Sequence, residues 1–184
     1  MYQVKLYGLG GQGVVTAAKI LAHAVSVYEN QFAKTIPAFG HERRGAPVYS
    51  DVMIDRQPIL LNSFVYEPDV VMLFAPAVID QGIAIEEGIH KKSILVINTE
   101  DKQLLERLEK EYLFNKIYYV SATQIALEQI GRDIPNGAML GAFAKTGIVK
   151  IDSVTQSLKE IFKNREGERN AQAAQKAYEK TREK

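Results

Sequence analysis

The sequence predicts an α/β fold, with three layers around a mostly parallel sheet and a Rossmann-like start. Three observations carry that expectation. The short apolar strand Val4–Tyr7 runs into a glycine cluster, Gly8-Leu9-Gly10-Gly11-Gln12-Gly13, and then into a helical pattern. Two unbroken apolar runs, Val70–Phe74 and Ser93–Ile97, have the composition of parallel strands buried on both faces. A helical pattern follows each of them, and strands that alternate with helices build parallel sheets.

The elements follow in chain order. Val14, Ala17, Ala18, Leu21, Ala22 and Val25 recur at helical spacing, giving a helix through Tyr28. Gln31–Ile36 reads as a strand ended by Pro37, and the stretch from Pro37 to Pro47 has no periodicity. Val48–Ile54, the turn Asp55-Arg56-Gln57 and Pro58–Leu61 read as an antiparallel hairpin added to the sheet. Helices are expected at Ala77–Gly88 and Lys102–Leu113, and a further strand at Ile117–Val120. Ser121 or Thr123 can cap a helix over Gln124–Ile130, and Asp152 or Ser153 starts another that reaches about Asn164.

At 184 residues the chain has room for one domain with a real core. Residues 1–165 are expected to form that α/β domain, and residues 166–184 a helical tail. Lys163–Lys184 carries seven Lys/Arg against four Asp/Glu. Ala171, Ala174 and Tyr178 fall on one helical face there, a thin stripe that buries little. The expectation is a marginal helix, either frayed or serving as an arm that orders on a partner chain.

Composition removes several function classes. Lys+Arg is 23 and Asp+Glu 22, so no global field attracts nucleic acid or anionic lipid. There is no Cys, which excludes disulfides, thiol nucleophiles and Cys-ligated clusters on this chain. The apolar runs fall far below the ~20 residues of a membrane helix, and no signal segment shows. A cytoplasmic protein without nucleic-acid or membrane partners is expected. His23, His41 and His90 form no pair at metal-ligand spacing, and no Ser–His–Asp pattern or nucleophile elbow occurs, so neither a metal site nor a catalytic residue is assigned.

Three motifs remain. The first is the loop Gly10-Gly11-Gln12-Gly13, where backbone N–H groups and the following helix dipole can meet an anion. Gly8, Gly10 and Gly13 satisfy the dinucleotide spacing G-x-G-x-x-G, yet no Asp or Glu stands near Thr35–Pro37 to hold a ribose. A phosphate-bearing ligand, a nicotinamide nucleotide and plain tight-turn packing all stay open. No Gly-Lys-Ser/Thr follows, which excludes a Walker-type P-loop. The second is Phe39-Gly40-His41-Glu42-Arg43-Arg44-Gly45-Ala46-Pro47. Its paired arginines suit a carboxylate or phosphate, or a neighbouring acidic element. The third is Pro135-Asn136-Gly137-Ala138-Met139-Leu140-Gly141-Ala142, where Asn136 can cap a helix and the small residues allow close packing.

In this order and in a chain of this length, the three motifs resemble the gamma subunit of the 2-oxoacid:ferredoxin oxidoreductases, of which pyruvate:ferredoxin oxidoreductase is the best known. The resemblance covers about residues 3–165. One departure is Leu9, where relatives often carry Arg or another polar residue. The resemblance implies a non-catalytic subunit of an enzyme that oxidatively decarboxylates a 2-oxoacid, pyruvate first, to acyl-CoA and passes electrons to ferredoxin. It implies alpha, beta and delta-type partner subunits, with thiamine diphosphate and the iron–sulfur clusters on those partners. This chain would contribute to coenzyme A binding and assembly, through Gly10, Gly11, Gln12, Gly13, Arg43, Arg44 and Asn136. The alternatives are a stand-alone Rossmann enzyme using a nicotinamide and a purely structural subunit.

Overall fold

The structure, a computed structural model, describes residues 1–37 and 45–184. The strands are β1 (Tyr2–Leu9), β2 (Phe32–Pro37), β3 (Pro47–Asp55), β4 (Val70–Leu73), β5 (Ile94–Asn98), β6 (Lys116–Val120) and β7 (Arg182–Glu183). The helices are α1 (Val14–Tyr28), α2 (Ala77–Asp80), α3 (Lys102–Glu111), α4 (Ala122–Ile130), α5 (Asn136–Ala144), α6 (Ile151–Phe162) and α7 (Asn164–Lys180). They form one seven-stranded sheet in the order β2-β3-β1-β4-β5-β6-β7.

The parallel heart is β1, β4, β5 and β6. Alternation along these strands divides the core as a two-sided sheet requires. Val4, Leu6, Val70 and Met72 point into one helical layer, built mainly from α1, α4, α5, α6 and α7. Val71, Leu73, Leu95 and Ile97 point to the other side, under α2, α3 and the turns near Ile85. This is the three-layer arrangement expected from the apolar runs.

The antiparallel addition is present, but its second strand is not Pro58–Leu61. β3 pairs with β1 on one side and with β2 on the other, both antiparallel. Pro58 has no N–H to give a ladder, and Leu60 stands 90% exposed. The chain instead crosses the sheet face and is pinned at the buried Val65. Asp51 Oδ2 accepts from Val65 N at 2.7 Å, and Lys5 Nζ donates to Val65 O at 2.8 Å. Asp51 is itself buried, and its Oδ1 has no partner among the described residues. Burial pushes its carboxyl above the ordinary range, against the opposing pull of the Val65 N–H and Lys5.

The helix expected over Ala77–Gly88 ends at Asp80. Gly82 has φ 81° and Gly88 φ 75°, left-handed positions that replace the helix by turns. The Tyr66 carbonyl packs onto Gly88 with no space for a side chain.

The tail departs most from expectation. It is neither marginal nor detached, because Ala171, Ala173, Ala174 and Ala177 of α7 are all buried in the helical layer. Alanines are weakly hydrophobic, so the stripe reads as thin, but they let backbones approach closely. The chain then returns to the sheet as β7, antiparallel to β6, where Lys116 Nζ lies 2.9 Å from Glu183.

Candidate functional site

The glycine loop sits at the carboxyl end of β1, where open α/β sheets bind ligands. Its shape is fixed by short-range bonds. Leu9 N donates to Gln12 Oε1 at 2.8 Å, and Gln12 N donates to Leu9 O at 3.1 Å. Gln12 therefore folds back to close the loop, and it does not line the crevice beyond. Gly10 N donates to Ala46 O at 2.8 Å, and Gly45 N donates to Gly10 O at 3.2 Å, which ties the loop to the chain entering β3. Gly11 has φ 101° and Gly13 φ 75°, conformations that side chains rarely adopt.

The loop borders a crevice of about 620 Å³. Gly10, Gly11, Gly13 and the first turn of α1 (Val14, Val15, Thr16) form one wall. Arg132, Ile134 and Asn136, from the junction between α4 and α5, form the second. Phe162 at the end of α6 and Glu166 and Asn170 of α7 also line it. Asn136 meets the loop directly, since a Cβ on Gly13 would lie 2.7 Å from Asn136 Nδ2. Two of the three sequence motifs thus converge here. Arg43 and Arg44 lie outside the described residues.

Asn136 is not the cap expected of it. Pro135 holds the cap position, and Asn136 is the first residue of α5. Its Oδ1 accepts from Gly137 N at 2.8 Å. Thr16, Arg132, Glu166 and Asn170 were not legible as site residues. Asn170 sits on the tail helix, and only the docking of α7 carries it into the crevice.

The electrostatics favour an anion. The amino ends of α1 and α5 both face the crevice, and neither carries an acid in its first turn. Each leaves backbone N–H groups without intrahelical partners and presents the positive end of a dipole. Arg132 adds a guanidinium, 3.8 Å from Glu166, and both are exposed. Glu166 is the single carboxylate among the described lining residues, and His, Cys and Lys are missing from that set. The arrangement is suited to holding a phosphate-bearing ligand and offers little for acid–base chemistry. Among the described residues, no cluster of three or more His, Cys, Asp or Glu could hold a metal ion. No helix among them is long and apolar enough to cross a membrane.

The family model described as pyruvate ferredoxin/flavodoxin oxidoreductase matches residues 3–180. The chain belongs to the pyruvate ferredoxin/flavodoxin oxidoreductase family. It is 45% identical to the pyruvate/ketoisovalerate oxidoreductases common subunit gamma of Pyrococcus furiosus, over 98% of this chain and 97% of that one. The crystal structure of pyruvate oxidoreductase subunit PORC from Thermotoga maritima superposes with a TM-score of 0.80 at 31% identity, over 99% of this chain and 97% of that one. The 2-oxoglutarate:ferredoxin oxidoreductase of Magnetococcus marinus, solved with 2-oxoglutarate, coenzyme A and succinyl-CoA bound, gives a TM-score of 0.73 at 16% identity. That match covers 96% of this chain and 30% of that one, and it shows a shared fold alone. The resemblance drawn from the three motifs is borne out by this membership of the pyruvate ferredoxin/flavodoxin oxidoreductase family. The family match extends to residue 180 and so takes in nearly all of α7.

Proposed function

We propose that this chain is the gamma subunit of a 2-oxoacid:ferredoxin oxidoreductase. That complex oxidatively decarboxylates a 2-oxoacid, pyruvate first among the candidates, and joins the acyl group to coenzyme A. Within it, the chain helps to bind coenzyme A and to hold the assembly together. The reading rests on the crevice, where the glycine loop and two acid-free helix amino ends converge. Coenzyme A carries pyrophosphate and a ribose phosphate, the charges such helix ends favour. Gly11 brings backbone without a side chain to the crevice, and Gly13 lets Asn136 pack against the loop. Each helix end is worth about 0.3–1 kcal/mol when exposed, so several weak contacts act together.

Alpha, beta and delta-type subunits carry the thiamine diphosphate and iron–sulfur chemistry in this reading, and ferredoxin meets the complex through them. A chain without Cys supplies no thiolate ligands to a cluster. A cytoplasmic location goes with the same reading.

The nicotinamide alternative loses ground to the strand order. In a dinucleotide fold the ribose carboxylate stands at the end of the parallel strand beside β1. Here β3 lies between β1 and β2 and runs antiparallel to both. The end of β2, Thr35-Ile36-Pro37, carries no acid.

The test is reconstitution. The purified chain should oxidise no 2-oxoacid alone, and the partner subunits should reduce ferredoxin in a coenzyme A-dependent way only when it is added. Turnover by the chain alone, or full coenzyme A-dependent turnover without it, would count against the proposal.

A further inference from the structure

Two asparagines lie on the floor of the crevice, Asn136 at 4% exposure and Asn170 at 3%. A buried amide is costly unless its polar atoms are paired. Among the described residues, each of these amides pairs at one end only. Asn136 Oδ1 accepts from Gly137 N at 2.8 Å, which leaves Nδ2 as a donor facing the glycine loop. Asn170 Nδ2 donates to Glu166 O at 2.9 Å, which leaves Oδ1 as an acceptor beside Gly137. Among the described residues, neither the free donor nor the free acceptor has a hydrogen-bond partner. The orientations are set by these inner bonds, because flipping either amide would oppose donor to donor or acceptor to acceptor.

The two amides are held together by backbone contact. A Cβ on Gly137 would lie 3.1 Å from Asn170 Oδ1, so the start of α5 and the side chain of α7 adjoin. One donor and one acceptor, carried by adjoining elements, therefore line the same anion-binding crevice. Helix ends and Arg132 attract any phosphate, but they do not discriminate what is attached to it.

We propose that Asn136 and Asn170 form a reading site for a ligand edge that offers an acceptor and a donor together, and that they set the crevice's selectivity beyond phosphate. This rests on the reading of the crevice as a coenzyme A site and deepens it. Coenzyme A can present that edge in two places, on its adenine ring, where the 6-amino group adjoins N1 and N7, and on its pantetheine arm, where the carbonyl of one amide and the hydroxyl or the other amide's N–H can face the same side. Both atoms open onto the crevice, so a ligand that lacks the matching groups would exclude water from them and leave them unpaired.

The experiment titrates the assembled complex calorimetrically with four probes. These are coenzyme A, inorganic pyrophosphate, adenosine 3′,5′-bisphosphate, which has the purine without the arm, and 4′-phosphopantetheine, which has the arm without the purine. Asn136→Ala and Asn170→Ala should each weaken coenzyme A binding about tenfold, the loss of one buried hydrogen bond. Pyrophosphate binding should not change. The fragment that shows the same loss identifies whether the purine or the arm is read. If Asn170→Ala fails to assemble, Asn170→Ser, too short to reach the edge, carries the same expectation. Unchanged coenzyme A affinity in the variants would overturn the proposal. So would an equal loss for pyrophosphate, since the asparagines would then only shape the loop. Failure of the wild-type complex to bind coenzyme A through this chain would instead remove the underlying reading, and the proposal with it.

Discussion

A methyl group on Gly141 would overlap the carbonyl of Ala174, so α5 and α7 meet backbone to backbone. That contact lets α7 carry Asn170 and Glu166 to the crevice. Gly141→Ala must push the helices apart or distort both, and overpacking of this kind costs about 1–3 kcal/mol. Chemical denaturation should show a loss in that range, with weaker coenzyme A binding in the folded fraction. A neutral substitution would mean that the two helices are not locked at this point.

Removing the tail should damage the domain as a whole. Deletion of residues 168–184 strips four buried alanines from the helical layer and frees the β6 edge from β7. The truncated chain should melt well below the full chain or fail to fold, with exposed apolar surface detectable by dye binding. A melting temperature within a few degrees of the full chain would return α7 to the status of a dispensable arm.

The Asp51 clamp gives a pH signature. Its carboxyl is raised in the folded chain, so the folded state binds that proton more tightly than the unfolded state does. The resulting stability is present at low pH and is lost as pH rises through the raised value, a window above the ordinary carboxylate range. Asp51→Asn keeps an acceptor for Val65 N and removes the buried charge. It should match or exceed the wild type at neutral pH and lack that fall. Asp51→Ala leaves the Val65 N–H unpaired and should cost about 1–3 kcal/mol. Equal pH profiles for the wild type and Asp51→Asn would show that Asp51 does not titrate in this way.

The Arg132–Glu166 pair spans exposed groups at 3.8 Å and contributes little to stability. Its consequence lies in binding. Glu166→Gln removes the lone carboxylate of the described lining and leaves Arg132 free for phosphate. At low salt, coenzyme A affinity should rise about two- to fivefold by the scale of exposed charge contacts, and the gain should fade at high salt. Arg132→Ala should move affinity the other way. Insensitivity to both changes would take Arg132 out of the site.

Much of this was legible in the sequence, and the exceptions have physical causes. The runs Val70–Phe74 and Ser93–Ile97 announce buried parallel strands because burial on both faces leaves no polar alternation. The loop at Gly10–Gly13 and the start of α5 at Asn136 were visible as motifs, because their residue types are tied to special backbone positions. The pairing of β3 with β2 was not legible, since Pro58–Leu61 offers a strand-like composition at the shorter loop distance. Asn170 was invisible for a different reason. Its role depends on a helix docked through alanines and glycines, and such contacts leave no hydrophobic signature. Gln12 belongs to the motif, yet it closes the loop rather than lining the crevice.

If the Gly10–Gly13 loop and the start of α5 hold coenzyme A, Gly13→Ala should release it. Alanine at φ 75° is strained, and its methyl would lie 2.7 Å from Asn136 Nδ2, so the crevice wall must move. The measurement is the coenzyme A dissociation constant of the assembled complex, with a melting curve to confirm folding. Affinity should fall at least about tenfold, the equivalent of 1.4 kcal/mol, in a complex that still assembles. An unchanged dissociation constant in a folded, assembled Gly13→Ala complex would contradict it.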